Sequence, residues 1–278
     1  MRVLKQVVVV VGVSALGAGV VGGVPVGGVL RLVLGVLVAA LALVAYRGVV
    51  RRTEHRDPVE AGRAGAGRGL GLGLLVGALW SAAVVACVAA GGGYRVEGTG
   101  SLTVALGLVG FLVAGAVTEE LMFRGLLLRL VEERTGTWVA LAVSGVLFGA
   151  MHLLNPDATL WGAVAIAVEA GGVLGAAYVA TRSLWLPIGL HIGWNVTLGA
   201  VFGAGVSGSD LPQGLLHGVT SGPVLLSGGE FGPEASIWAV AGGVLLTVVL
   251  LRIAQRRGRL VPRRRRAEQP AATATLSR

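Results

Sequence analysis

The sequence predicts an all-α, polytopic membrane protein with about eight transmembrane helices. Three features of its composition support this fold class: hydrophobic residues make up 54 % of the 278 residues, charged residues make up 13 %, and the mean hydropathy is +0.81. A soluble globular chain carries about 25 % charged residues, so this chain has too little charge to cover a soluble fold of its length. The 47 glycines fit the same class, because glycine lets membrane helices approach closely. A soluble enzyme, a disordered chain and a coiled coil are excluded.

Eight apolar stretches are present, most of them near the roughly 20 residues that a helix needs to cross a bilayer. They are residues 7–24, 29–46, 70–91, 101–123, 137–154, 159–181, 184–204 and 235–252. The first stretch follows Arg2 and Lys5, so a cleaved signal peptide competes with a membrane helix there. We expect a retained helix, because no A-x-A-like cleavage site stands at its end.

The basic residues predict the orientation of the chain. The formal net charge is +9, but the arginines lie between or after apolar runs, which indicates membrane topology rather than nucleic-acid binding. Because Lys and Arg accumulate in cytoplasmic loops, the arginine-rich loop 47–68 and the tail after residue 251 should be cytoplasmic. Segment 205–234 contains no Lys or Arg and should lie outside. Eight spans in the cell membrane, with both termini in the cytoplasm, satisfy all three segments.

These segments divide the chain into four regions. Residues 1–97 hold the first three helices, and 98–204 hold helices four to seven with the candidate catalytic residues. Residues 205–234 form an external loop, which is too often interrupted by Gly and Pro to be a helix. Residues 235–278 hold the last helix and a basic cytoplasmic tail. The only cysteine, Cys87, excludes a disulfide within the chain.

Two adjacent carboxylates interrupt the fourth apolar stretch. An ionisable group in hydrocarbon is costly, so Glu119 and Glu120 are functional candidates. Glu120 and Arg124 are four residues apart, hence on one helical face and able to pair. Glu119 is rotated from them by about 100° and has no obvious local partner. A carboxylate in that position is suited to act as a general base, and a charge cluster at a helix end is the alternative interpretation.

Two histidines and an asparagine lie in the following apolar stretches. His152 ends the sequence Phe148-Gly-Ala-Met-His152, and His191 and Asn195 share a helical face in the next-but-one span. A single buried histidine is more often structural. Two histidines together with a carboxylate pair can instead bind a metal, or polarise a water molecule and stabilise an oxyanion.

Helix geometry tests whether these groups can meet. At 1.5 Å per residue, Glu120 and His152 both lie about 21–24 Å from the turn between their helices, so they should be level. His191 follows Arg182 by only nine residues, or about 14 Å. A tilt, or a kink near Pro187, would have to absorb this difference.

Together the three motifs resemble the CPBP family of intramembrane proteases, which includes CAAX prenyl endopeptidases and bacteriocin-processing or immunity proteins. The motifs are EExxxR (Glu119, Glu120, Arg124), FxxxH (Phe148, His152) and HxxxN (His191, Asn195), in the family's order and each on its own span. The resemblance covers roughly residues 100–200. The downstream sequence Ser-Gly-Gly-Glu230-Phe231-Gly-Pro233-Glu234 also looks like segments of bacterial members, without a physical role beyond an external loop.

The resemblance implies an endopeptidase that acts on a peptide or a membrane-anchored protein within the lipid bilayer. Glu119, with help from His152, would activate the attacking water, and Glu120 and Arg124 would hold the site together. His191 and Asn195 would stabilise the oxyanion of the tetrahedral intermediate. The family is also described as metal-dependent. A zinc ion would need three protein ligands and water, and Glu119, His152 and His191 are the candidates.

Two other functions remain open from the sequence. A non-catalytic scaffold or immunity protein of the same fold would keep the motifs without cleaving a substrate. A proton-coupled transporter could use the intramembrane carboxylates and histidines as a relay, but transporter halves usually show an internal symmetry that this chain lacks. Glu169 lies in the middle of the sixth span and belongs to none of the motifs, so we expect it to be structural or to line a cavity.

Overall fold

The computed structural model of the protein describes residues 1–23 and 27–263. Ten α-helices run through these residues. They are α1 (Arg2–Gly23), α2 (Gly28–Glu54), α3 (Ala66–Ala90), α4 (Leu102–Glu120), α5 (Arg129–Thr135), α6 (Thr137–Met151), α7 (Leu160–Thr181), α8 (Trp185–Asn195), α9 (Val224–Ser227) and α10 (Ile237–Arg256). Helices α4 and α5 form one continuous rod, because the π-helical segment Leu121–Leu128 joins them.

Seven helices of the described ranges are long and apolar enough to cross a membrane, so the all-α, multi-pass fold is confirmed. The α4–α5 rod counts as one of them, and α6 does so together with the 3-10 turn His152–Leu154. The seventh predicted span, 184–204, is shorter than expected: α8 has 11 residues and continues as the π-helical segment Val196–Val201. Of the predicted basic tail, the part from residue 264 onward lies outside the described residues.

Glycines bring α8 into close contact with α3. Gly73 and Gly77 of α3 face Gly189 and Gly193 of α8, and a Cβ atom on any of the four would overlap backbone atoms of the opposite helix. Small residues four apart let helix backbones approach in this way, and in a membrane such packing takes the place of a hydrophobic driving force. Helix α8, which carries two of the candidate catalytic residues, is therefore fixed against α3 by backbone contact.

The segment 205–234, predicted as an external loop too interrupted for a helix, contains a short strand and short helical turns. Strand β2 (Leu216–Thr220) pairs antiparallel with β1 (Tyr94–Thr99), with a bulge between Val96 and Gly98. Short helical turns follow at α9, at Gly229–Phe231 and at Pro233–Ala235. The hydroxyl of Tyr94 donates to the carbonyl of Phe202 at 2.7 Å, which joins the two-stranded sheet to the end of the α8 segment. Segment 205–234 thus packs on the helices instead of projecting from them.

A cluster of ion pairs and hydrogen bonds joins α5 to the end of α2 and to the turn that follows α2. Arg129 donates to both carboxylate oxygens of Glu54, at 2.7 and 3.0 Å, and Arg56 donates to Glu54 and Glu60. The hydroxyl of Tyr46 donates to Glu60 at 2.7 Å. Burial acts to raise the pKa of Glu60, but the hydrogen bonds from Arg56 and Tyr46 outweigh it and the pKa is lowered. The cluster ties α2 and the turn after it to the rod that carries Glu119 and Glu120.

Candidate functional site

Glu120 and Arg124 form the buried ion pair that their spacing predicts. The Nη1 atom of Arg124 donates to Oε1 of Glu120 at 2.8 Å, and neither side chain is exposed to solvent. Arg124 also donates from Nη2 to the carbonyl of Ala170 at 3.2 Å. Its guanidinium lies 4.5 Å from the ring centroid of Phe148, in cation–π contact. The charge of Arg124 is thus held by a carboxylate, a carbonyl and an aromatic face.

Phe148, the first residue of the FxxxH motif, packs against a residue of each of the three motifs. Its ring centroid lies 4.8 Å from that of His152 and 6.0 Å from that of His191. The same ring covers Arg124 and packs edge-on against Phe123 at 5.0 Å. Phe148 is therefore the apolar centre around which both histidines and the arginine are arranged.

His191 reaches the carboxylate pair from α8. Its Nδ1 lies 2.9 Å from Oε1 of Glu120, the oxygen that also accepts from Arg124. Because this oxygen is an acceptor for Arg124, Nδ1 of His191 carries the hydrogen and donates it. The Nε2 atom of His191 lies 3.8 Å from Oε2 of Glu119, an oxygen with no hydrogen-bond partner among the described residues. The sequence gives Glu119 no obvious local partner, and the structure places His191 of a distant helix at this longer distance from it.

A wider helical winding accounts for the depth at which His191 meets Glu120. The bases of the two helices are level, because Arg182 pairs with Glu132. Twelve residues separate Glu132 from Glu120, but eight residues between them are π-helical, with more residues per turn and hence less rise per residue than an α-helix. Helix α8 runs without a break through Pro187, so of the two alternatives, a tilt or a kink, the kink is not seen. Pro187 is the third residue of α8, in the first turn, where its missing N–H costs no hydrogen bond.

His152 has a defined tautomer. Its Nδ1 lies 2.7 Å from the carbonyl oxygen of Phe148, and because a carbonyl can only accept, Nδ1 carries the hydrogen. In the neutral imidazole, Nε2 is then left with a lone pair. The 3-10 turn His152–Leu154 ends the fifth predicted span, so the imidazole lies at a helix end and beside a cavity.

One cavity of about 430 Å³ brings four of the six predicted site residues together. Glu119, His152, His191 and Asn195 line it, whereas the Glu120–Arg124 pair is buried behind them. Most of the remaining wall is apolar and comes from α1, α2, α4 and α6. Its apolar residues include Val11, Ala15, Ala18, Val21, Val38, Phe111, Leu112, Met122, Met151 and Leu154. The cavity thus combines a polar end with a long apolar wall.

Glu119, His152 and His191, the zinc set suggested by the resemblance, all line the large cavity, and their role as metal ligands stays a prediction. Among residues 1–23 and 27–263, no three His, Cys, Asp or Glu side chains are grouped so that they could hold a metal ion. Of the three expected ligands, His191 already donates from Nδ1 to Glu120, and His152 donates from Nδ1 to Phe148. Only their Nε2 atoms and the Glu119 carboxylate would remain for a metal.

A second, smaller cavity of about 20 Å³ lies behind the histidines. His152, His191 and Asn195 line it from one side, and Glu169 and Glu234 line it from the other. Glu169 is fully buried, and neither of its carboxylate oxygens has a hydrogen-bond partner in the described part of the chain. Of the two alternatives predicted for Glu169, structural or cavity-lining, this placement is the cavity-lining one.

Glu234 is the residue of this region that sequence analysis missed. It is buried, accepts from Nε1 of Trp194 at 2.7 Å, and accepts from the backbone N–H and the hydroxyl of Ser207. Burial raises the pKa of the Glu234 carboxyl, although the hydrogen bonds from Trp194 and Ser207 act against this shift. The signal was present in the Gly- and Pro-rich sequence around Glu230 and Glu234, which was assigned to an external loop.

Comparison with known proteins agrees with the motifs. Residues 100–197 match the family model described as type II CAAX prenyl endopeptidase, Rce1-like. The matched range contains all six predicted site residues and ends before segment 205–234. Neither a curated protein nor a solved structure matches the chain. The family match confirms the resemblance drawn from the three motifs, over residues 100–197.

Proposed function

We propose that this protein is an intramembrane endopeptidase that hydrolyses a peptide bond with a water molecule activated by Glu119. The observation that carries this proposal is the cavity onto which Glu119, His152, His191 and Asn195 open from three different segments of the chain. Each of these polar groups is costly inside a membrane protein, and their convergence on one cavity is what a hydrolytic site requires.

Glu119 is the best-placed general base. One of its oxygens has no hydrogen-bond partner, and about a quarter of its side chain is exposed to the cavity (24 %). In the first step Glu119 takes a proton from water, and the hydroxide attacks the carbonyl carbon of the scissile bond. His152, whose Nε2 carries a lone pair, assists by accepting a hydrogen bond from the same water.

His191 and Asn195 supply the donors for the oxyanion. Nδ1 of His191 donates to the carboxylate of Glu120, and we propose that Nε2 carries a proton as well, so that it can donate to the oxyanion. The side-chain amide of Asn195, one helical turn further along α8, provides a second donor. Donors held in place before the reaction stabilise the negative charge that develops on the carbonyl oxygen. Collapse of the intermediate breaks the C–N bond, and the leaving amine takes the proton held by Glu119.

The apolar wall favours a substrate with an extended hydrophobic segment. The wall contributed by α1, α2, α4 and α6 carries no charged side chain apart from the catalytic groups. We propose a peptide or a membrane-anchored protein as the substrate, without prenylation or bacteriocin maturation being implied. We also propose, from the arginine distribution, that both termini face the cytoplasm.

The decisive experiment measures peptide cleavage by the purified protein in proteoliposomes, using a library of quenched fluorescent peptides with apolar segments. Glu119→Gln and His152→Ala should abolish cleavage while the protein still folds, as judged by its melting temperature. Glu97→Gln, which changes an exposed carboxylate in β1, is the control and should cleave like the parent. Parental rates in both site variants would refute the mechanism and favour a non-catalytic scaffold or immunity protein.

Elemental analysis of the same preparation tests the zinc prediction. The mechanism proposed here predicts cleavage that continues after exhaustive chelation. Stoichiometric zinc, together with loss of cleavage on chelation and recovery on zinc addition, would replace the glutamate mechanism by a metal-dependent one.

A further inference from the structure

The backbone at Ser207 is strained and borders the catalytic cavity. Its φ of 53° lies in the left-handed region, which non-glycine residues rarely adopt. Ser207 lines both the large cavity beside Glu119 and the small cavity behind the histidines. Such strain persists only where surrounding groups hold the backbone in place.

Two side chains hold the backbone of Ser207 by hydrogen bonds, one at its N–H and one at its carbonyl. Glu234 accepts from the Ser207 N–H, and it also accepts from the Ser207 hydroxyl at 3.0 Å. On the other side, Asn155 donates from Nδ2 to the Ser207 carbonyl at 2.7 Å. Asn155 follows His152 by three residues, so this hydrogen bond connects the Ser207 turn to the end of the 3-10 turn that begins at His152.

The second oxygen of Glu234 reaches the other catalytic helix. Oε1 accepts from Nε1 of Trp194 at 2.7 Å, and Trp194 stands between His191 and Asn195 in the HxxxN motif. The buried carboxylate of Glu234 therefore accepts from Ser207, in the cavity wall, with one oxygen and from Trp194, in α8, with the other. Charge-assisted hydrogen bonds of this kind are about twice as strong as neutral ones.

We propose that Glu234 is a positioning residue, which holds the Ser207 turn and helix α8 in register so that the cavity wall and the oxyanion donors face the same substrate bond. This role rests on the proposed function, because it acts through His191, Asn195 and the cavity wall. Glu234 itself touches none of the reacting atoms. The motif around Glu234, which the family match does not cover, is thereby given a function.

The chemistry of the two contacts predicts which kinetic constant each variant changes. Glu234→Gln keeps an acceptor for Trp194 but presents an amide N–H₂ to the Ser207 N–H, so the turn is released. Because Ser207 borders the substrate cavity, KM should rise. Trp194→Phe removes only the indole donor, so kcat should fall while KM stays near the parental value. Ser207→Ala keeps the backbone N–H and should have the smallest effect.

The expected size of the loss follows from the cost of misplacing catalytic groups. A misplacement of about 1 Å can lower the rate by about 100-fold, so kcat/KM of Glu234→Gln should fall by ~10- to 100-fold. The matched control is Glu230→Gln, because Glu230 is an exposed carboxylate of the same motif. It should leave kcat, KM and the melting temperature unchanged.

A labelling measurement tests, without any substrate, whether Glu234 restrains the Ser207 turn. Ser209 lines the large cavity two residues after Ser207, and Cys87 is the only native thiol. In a Cys87→Ala background, Ser209→Cys should react slowly with N-ethylmaleimide when Glu234 is present. Adding Glu234→Gln should speed this reaction by at least about fivefold, because local opening of a restrained turn sets the access of the reagent.

The two measurements separate the possible results. Faster labelling with Glu234→Gln and not with Glu230→Gln, together with the KM and kcat split, supports the positioning role. A lower melting temperature with unchanged labelling and unchanged kinetics in the folded protein would overturn it, since Glu234 would then act on stability alone. If the parent cleaves no peptide, the proposed protease function fails. The labelling rates still decide whether Glu234 restrains the Ser207 turn.

Discussion

His191 donates from Nδ1 to Oε1 of Glu120 at 2.9 Å, across 71 residues of sequence. This bond joins α8 to the α4–α5 rod at the point where the cavity is most polar. It also fixes which nitrogen of His191 faces Glu119. The carboxylate of Glu120 thus has two tasks: it compensates the buried charge of Arg124, and it orients the imidazole.

Substitution of Glu120 should separate these two tasks. Glu120→Ala leaves Arg124 buried without its counter-charge, which should lower the free energy of unfolding by about 3–5 kcal/mol. The double variant Glu120→Leu with Arg124→Met replaces the pair by apolar side chains of similar size, and its stability should return close to that of the parent. Because His191 has no acceptor in either variant, neither should cleave peptides at the parental rate.

Thermal unfolding in detergent and cleavage of the peptide library measure the two tasks independently. The stable but inactive double variant is the informative result, because it distinguishes orientation of His191 from simple loss of folding. Parental kcat in that double variant would contradict an orienting role for Glu120.

The acid stability of the protein should depend on Glu60. Because hydrogen bonds from Arg56 and Tyr46 lower the pKa of Glu60 in the folded state, its contribution is fully present above the pKa of the unfolded chain, near 4.5. It is lost as the pH falls through the lower folded value. Arg56 is partly exposed, which weakens the pair through solvent screening, so Glu60→Gln should cost about 1–3 kcal/mol at pH 7.

Melting temperatures measured between pH 3 and pH 7 test this linkage. The difference between the parent and Glu60→Gln should be largest near neutrality and should shrink in acid. Asp57→Asn is a suitable control, because Asp57 pairs with Arg51 on the surface and should change stability little at any pH. A difference that stays constant with pH would show that ionisation of Glu60 is not the cause.

The sequence predicted the parts of this protein that depend on local spacing. The i,i+4 relation of Glu120 and Arg124 is enough to place the pair, and the depth estimate placed Glu120 level with His152 because both are counted from one turn. The same count failed for His191. It assumed an α-helical rise, whereas Leu121–Leu128 is π-helical, and no side-chain pattern in that stretch marks the change.

Segment 205–234 could not be predicted, for a different reason. Strand β2 exists because it pairs with β1, which lies more than 100 residues earlier, and the sequence of β2 has no regular alternation of apolar and polar residues. Glu234 acquires its importance from Trp194 and Ser207, two partners that only the packing of this segment brings together. Patterns of hydrophobicity locate spans, but they carry little information about pairing at such separations.

Glu169 should be dispensable for catalysis, despite its burial. Neither oxygen finds a hydrogen-bond partner in the described residues, so its burial is not offset by a bond. Glu169→Met replaces a polar group by an apolar one of similar volume and should raise the free energy of unfolding by about 1–3 kcal/mol, while cleavage continues at a rate close to the parental one. Glu169→Gln should keep activity but gain less stability.

The comparison of these variants with the parent tests the interpretation of Glu169 as a cavity-lining residue. A large loss of cleavage in Glu169→Met, with activity retained in Glu169→Gln, would assign Glu169 a polar role in the reaction. It would also return the idea of a proton relay through the small cavity to consideration.

The contact between α3 and α8 should be intolerant of any side chain at Gly77. A Cβ atom there would overlap the backbone of Leu190 and Trp194, and backbone cannot turn aside as a flexible side chain can. Gly77→Val should therefore force α8 away from α3. Overpacking of this kind costs about 1–3 kcal/mol or more, and the displacement of α8 should also abolish cleavage, because His191 and Asn195 move with it.

Gly71→Val provides a control on the same helix. A Cβ atom on Gly71 meets no atom within 4 Å, so valine there changes helix propensity and lipid contact without touching α8. Unfolding temperature and cleavage should both stay near the parental values for Gly71→Val and should both fall for Gly77→Val. Equal activity in the two variants would mean that the position of α8 does not depend on this glycine contact, and that the HxxxN residues are placed by Glu120 and Glu234 alone.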